Sequence, residues 1–236
     1  PMACRGCAAK LPAQPLEAAL DQAGLSGPPE DAARIEGDPP LLQSVDGFPA
    51  LVSDPWLNGR LTTLHACSDL WACGVRVDSA QAIVTLPVLE AAEQQELLVQ
   101  TLCGVRSVLE EQQAQLIGGH TLESRSEPPH CPSLGVQLSL CVNGRSASPW
   151  SKGGIAHGDV LLLSRPLGTG VLFAAAMAGA CQPKALDTVL LQMCRSQHRL
   201  LDQLEPHRQA IHACTDVTGF GPVSYTHLTL PTTLQV

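Results

Sequence analysis

Aromatic side chains are scarce in this chain, with three Trp, three Phe and one Tyr among 236 residues. Surfaces that stack nucleobases need several such rings, so their scarcity argues against a single-strand nucleic-acid platform. Basic residues are also few, 14 Lys and Arg against 22 Asp and Glu, giving a formal net charge of −8. An acidic chain without a basic stripe argues against nucleic acid and anionic membrane as partners. No apolar run is long enough to span a bilayer, and no signal-peptide pattern precedes Met2. Hydrophobic residues at 44% with charged residues at 15% nevertheless indicate a folded globular chain. Its length allows one or two domains.

Cysteine is abundant, ten in all, but irregularly spaced. Cys67, Cys73, Cys103, Cys141, Cys181 and Cys194 fall in apolar or helical surroundings, where a free thiol behaves as a small hydrophobe. This is not a compact disulfide scaffold, so the expected compartment is reducing and the expected location cytoplasmic. Cys4 and Cys7 stand apart, in the polar opening segment Met2-Ala3-Cys4-Arg5-Gly6-Cys7-Ala8-Ala9-Lys10. Basic neighbours lower a thiol's pKa by stabilising the thiolate, Gly6 permits close backbone approach, and Lys10 supplies a point charge suited to phosphate. Half of a zinc site, a redox dithiol and an incidental terminus are alternatives for the same residues, although no second pair at ligand spacing completes a zinc site.

Periodicity predicts helices over Leu16–Ala23, Asn58–Cys73, Leu89–Gln113, Gly168–Ala180 and Ala185–Leu204. Strands are predicted at Leu41–Val45, Gln81–Leu86, Leu116–Ile117, Leu134–Val142, Asp159–Ser164 and Ile211–Cys214. Gly24–Pro40 reads as a loop and Asn143-Gly144 as a turn. The Ser- and Gly-rich stretch Arg145–Gly158 reads as a connector between two domains. Asp46 follows a strand, and Thr62, His65 and Asp69 share one helix face, since residues three and four apart are neighbours. A mid-helix carboxylate beside apolar residues is costly unless a cation meets it, so a solvent-facing Asp69 is the plain alternative. Gly118-Gly119-His120-Thr121 after an apolar strand leaves backbone amides open to an anion. Residues 222–236 have no clear period, resemble translated sequencing-adapter read-through, and are expected to be non-native.

Taken in order, these motifs resemble those of selenophosphate synthetases (selenide, water dikinases) of the PurM-like ATP-binding superfamily, from about Met2 to Gly221. Gly6-Cys7-x-x-Lys10 is similar to that family's catalytic loop, and Asp31-Ala32-Ala33 to its first acidic motif. Asp46, Asp54-Pro55, Gly59-Arg60 and Ser68-Asp69 resemble its acidic strand–helix block. Gly118-Gly119-His120-Thr121 resembles its glycine-histidine loop, and Thr215-Asp216-Val217-Thr218-Gly219-Phe220-Gly221 its second-domain signature. Arg34, where a small apolar residue is usual, and His65, where many relatives carry asparagine, depart from the pattern.

The resemblance implies an α+β fold: a PurM-like N-terminal ATP-binding domain (1–145), then a truncated PurM-like C-terminal domain (146–221). It implies conversion of ATP, selenide and water to selenophosphate, AMP and phosphate. Cys7 and Lys10 would be catalytic. Lys10, Asp46, Asp69, Gly119, His120 and Thr121 would bind ATP, and Asp31, Asp69 and Asp216 would hold Mg2+. A homodimer is implied, and the Gly6-Cys7-Ala8-Ala9-Lys10 form resembles versions fused behind an NADH dehydrogenase-like flavoprotein domain. Because the family continues beyond the last motif, weak turnover is expected of this chain. Other PurM-like enzymes (aminoimidazole ribonucleotide synthetase or thiamine-monophosphate kinase type) and a non-catalytic Cys4/Cys7 redox module are the alternatives.

Overall fold

The structure is a computed structural model that describes residues 13–24, 31–124 and 135–219. Cys4, Cys7, Lys10, Gly221 and the expected tail lie outside the described residues. The described chain begins with α1 (Ala13–Gln22) and β1 (Ala33–Ile35), the latter inside the stretch expected to be a loop. There follow β2 (Leu41–Phe48), α2 (Pro55–Ala72), β3 (Ser79–Leu86), α3 (Ala91–Glu111), β4 (Gln115–Glu123) and β5 (Gln137–Arg145). Three helices, α4 (Thr169–Met177), α5 (Pro183–Met193) and α6 (His198–Leu204), and a 3-10 turn (Glu205–Ala210) complete it.

The strands form one sheet in the order β1-β2-β5-β3-β4. Every neighbouring pair is antiparallel except β3 and β4, which are parallel. A parallel pair needs a crossover, and α3 supplies it. Alternation along β3 and β5 buries Ala80, Ala82, Val84, Leu138, Leu140 and Val142 against α2 and α3. The opposite face is left open, with Val45 and Ile83 exposed.

Local chemistry fixes where the two central helices start. Asp54 accepts the Leu57 N–H at 2.7 Å and Pro55 opens α2, which satisfies an orphan amide where Pro needs none. In α3 the Glu93 side chain accepts the Glu90 N–H at 3.3 Å, one arm of a capping box. The two helices cross with backbones in contact at Gly59 and Gly104. A Cβ on Gly104 would lie 2.1 Å from the Trp56 carbonyl, and one on Gly59 would lie 2.3 Å from that of Thr101.

Several sequence expectations are corrected. Asn143-Gly144 is not a turn: β5 lies between β2 and β3 and continues through both residues. Two ladders outweigh local turn preference there, and the Asn143 amide oxygen accepts from Gln43 at 2.8 Å. Gly118-Gly119-His120-Thr121 is not a loop but the body of β4, paired with Gln81–Val84. Gly119 fits because any side chain would collide with the Ala82 carbonyl, 2.1 Å from an added Cβ. Neither Asp159–Ser164 nor Ile211–Cys214 forms a strand, since neither finds a ladder partner among the described residues. The single helix expected over Ala185–Leu204 is two, α5 and α6.

The segment after β5 is anchored to the sheet layer at several points. The Trp150 N–H donates to the Cys73 carbonyl at 2.8 Å, and the Arg60 guanidinium donates to the Cys194 carbonyl at 2.7 and 3.0 Å. Arg208 stacks over Trp150, 4.9 Å from its ring centroid, and donates to the carbonyls of Gly74 and Ser148. These contacts bring the Thr215–Thr218 stretch back to α2, where Asp216 meets Ser68.

Candidate active site

The site is built where β2 meets α2. Period-two alternation sends Ser44 and Asp46 to the same side of β2 as the buried Leu42 and Phe48. The helical face shared by His65 and Asp69 meets them. The Ser44 hydroxyl donates to Asp69 Oδ2 at 2.5 Å, and His65 Nε2 lies 2.7 Å from Asp46 Oδ2. The Phe48 ring meets the His65 ring edge-on at 5.1 Å between centroids. Asp216 arrives from the far end of the chain and accepts from the Ser68 hydroxyl at 2.6 Å. Asp31 is gripped by the ammonium of Lys152, with both side chains largely out of water.

These placements gather negative charge. Asp69 is pushed up from 3.8 to about 7, first by burial, then by the Asp216 carboxylate, with Asp46 adding to the effect. The Ser44 hydroxyl and His65 act in the other direction without cancelling it. The thiol of Cys214 is pushed up to about 11 by burial, then by Asp31 and Asp216 together. Asp46 and Asp216 are therefore in electrostatic reach of Asp69, and Asp31 and Asp216 are both in reach of Cys214. A solvent-facing Asp69 is excluded.

A pH dependence follows. A carboxyl held above its unfolded value stabilises the fold fully below about pH 4, where both states are protonated. The unfolded chain then ionises while Asp69 does not, and stability drains away as pH rises towards 7. The displacement corresponds to ~4 kcal/mol shared over the interacting carboxylates. Urea midpoints in metal-free buffer should therefore fall from pH 5 to pH 7 and level by pH 8, relative to Asp69→Asn. Parallel profiles for the two proteins would remove Asp69 as the cause.

Such a cluster suits a divalent cation bound through oxygen. Among the described residues no group of three or more His, Cys, Asp or Glu side chains is placed to hold a metal ion. The buried, mutually repelling carboxylates are the feature that a cation would relieve.

Not every expected residue joins the cluster. Gly119, His120 and Thr121 stand on β4, at the other edge of the sheet, separated from β2 by β5 and β3. Three strand spacings are ~14 Å. Two participants were not picked out from the sequence. Ser44 could have been found from its position two residues before Asp46 on one strand face. Lys152 had no local signal, since its partner Asp31 is 121 residues away.

The architecture is a mixed α+β fold of the PurM-like type. Residues 29–142 match the profile of the AIR synthase related protein, N-terminal domain. Thiamine monophosphate kinase from Aquifex aeolicus superposes with a TM-score of 0.65 at 16% identity, covering 82% of this chain and 65% of that one. A solved complex of AaThiL with AMPPCP and TMP gives 0.65 at 18% identity, covering 86% and 64%.

In sequence the chain is similar to selenide, water dikinases. It is 30% identical over 229 residues to that of Bdellovibrio bacteriovorus, covering 92% of this chain and 63% of that protein. It is 35% identical over 198 residues to that of Nitratidesulfovibrio vulgaris (strain DP4), covering 81% and 52%. The chain thus spans between half and two thirds of the length of these curated relatives. Among the described residues no helix is long and apolar enough to cross a membrane.

Proposed function

We propose that the protein carrying this chain is a selenide, water dikinase, forming selenophosphate, AMP and phosphate from ATP, selenide and water. The observation that carries the reading is the convergence of Asp46, Asp69 and Asp216 from β2, α2 and the distant Thr215–Thr218 stretch. The similarity to selenide, water dikinases supports the choice of substrate.

In this reading Asp31, Asp69 and Asp216 hold Mg2+, with Asp46 and Asp69 also facing the nucleotide. The metal supplies neutralisation of the phosphate charge. The chain's own work is positioning, because phosphoryl transfer asks mainly for aligned groups and compensated charge. Ser44 and Ser68 fix the carboxylate oxygens by donating to them, and His65 orients Asp46. Lys10 neutralises phosphate oxygens and Cys7 presents selenide, both from the opening segment.

The division into an N-terminal domain (1–145) and a C-terminal one (146–221) belongs to the same proposal, as does a homodimer. The open sheet face around Val45 and Ile83 and the β4 edge are the surfaces a second copy would cover. Its own Gly119, His120 and Thr121 would then be brought towards nucleotide. An upstream flavoprotein domain and a cytoplasmic location remain part of the proposal.

The test is product identity. Anaerobic incubation with Mg-ATP and selenide, followed by phosphorus NMR, should show AMP, phosphate and a selenium-bonded phosphorus signal that requires selenide. ADP as the nucleotide product would favour a simple kinase, the activity named for the Aquifex thiamine monophosphate kinase of like fold.

A further inference from the structure

We propose that Lys152 is the resident counter-cation of Asp31, which it surrenders to a divalent metal when the site loads. This rests on the carboxylates being a metal–nucleotide site. Lys152 Nζ pairs with Asp31 Oδ1, and the two side chains are only 16% and 6% exposed. A carboxylate so buried is costly without a cation, so an ammonium there supports the metal-free fold.

The segment that carries Lys152 is tied by its backbone to the stretch that carries Asp216: the carbonyl of the preceding residue, Ser151, accepts the Cys214 N–H at 2.9 Å. The Cys214 thiol in turn feels both Asp31 and Asp216. A divalent ion and the ammonium compete for the lone pairs of Asp31. A lysine suits that exchange, being a compact charge on a flexible stem that can withdraw without backbone rebuilding.

The exchange makes two measurable claims about the 236-residue chain. Lys152→Met should lower the metal-free melting temperature by about 5 °C, and saturating Mg2+ should close that gap. Binding of Mn2+ alone, followed by its paramagnetic resonance signal, should tighten about tenfold, because metal no longer displaces the lysine. A gap that persists in Mg2+, with Mn2+ affinity unchanged or weakened, overturns the inference and leaves Lys152 a structural tie.

Should Lys152→Met fail to fold without metal, cooperative unfolding regained in Mg2+ supports the exchange, and no recovery overturns it. Wild-type protein that takes up no Mn2+ even with ATP overturns the site reading beneath, and this inference with it. Wild type that binds Mn2+-ATP while the variant shows no change overturns this inference alone.

Discussion

Asp69→Asn is expected to stabilise the metal-free protein while abolishing the proposed consumption of ATP. The carboxylate lies against two others, Asp216 and Asp46, in a site that excludes much of the surrounding water. At pH 8 its charge opposes folding by ~1–4 kcal/mol, the range set by how far the neighbouring carboxylates share the displacement. For a chain of this size, 1 kcal/mol moves the melting temperature by ~2–4 °C. A rise of ~2–16 °C is therefore the expected result. Asparagine keeps an oxygen to accept from Ser44, so the hydrogen bond seen there survives.

The same change deprives the proposed metal of a charged ligand. Loss of one strong electrostatic contact in a preorganised site typically costs ~100–1,000-fold in rate. Selenide-dependent ATP consumption should fall at least that far, even as the protein melts later. Stability and activity moving in opposite directions mark a functional carboxylate. A loss of both would instead make Asp69 a structural residue.

The second large effect concerns the crossing of α2 and α3. Gly104→Val would place a branched side chain where a single Cβ already lies 2.1 Å from the Trp56 carbonyl and 2.8 Å from the Arg60 amide. Both obstacles are backbone, so no rotamer change relieves the overlap and the helices must separate. Overpacking of this kind costs ~1–3 kcal/mol and more when backbone must move. The consequence also reaches the site, since α2 carries His65, Ser68 and Asp69. Melting followed by circular dichroism should show a fall of ~8 °C or more, or no folded protein. Gly170→Ala, with nothing within 4 Å of the added Cβ, should be neutral or slightly stabilising in its helix. Equal behaviour of the two variants would contradict the close crossing.

Much of this arrangement was legible in the residues. Strand alternation placed β2, β3 and β5, and helical spacing placed α2 and α3 with the face bearing His65 and Asp69. Motif order singles out Asp31, Asp46, Asp69 and Asp216, and in the structure Asp46 and Asp216 both act on Asp69. What could not be read were choices decided by partners distant in sequence. Asn143-Gly144 has turn chemistry, yet lies in a strand flanked by two others. Gly118-Gly119 looks like an anion-binding loop, yet becomes an edge strand because α3 returns the chain parallel to β3. Lys152 sits in a Ser- and Gly-rich connector with no periodicity, and only tertiary contact reveals Asp31 as its partner. The stretch Val160–Leu163 has strand composition and remains exposed, with no ladder partner among the described residues.

The account turns on carboxylates from distant parts of the chain serving one metal-bound nucleotide. Calorimetric titration of ATP into the wild-type chain, in Mg2+ and again in excess chelator, addresses this directly. Binding heat is predicted in Mg2+ and none in chelator, with Asp46→Asn and Asp216→Asn each weakening binding by ~10-fold or more. Equal ATP binding with and without Mg2+, or wild-type affinity in both variants, would contradict it.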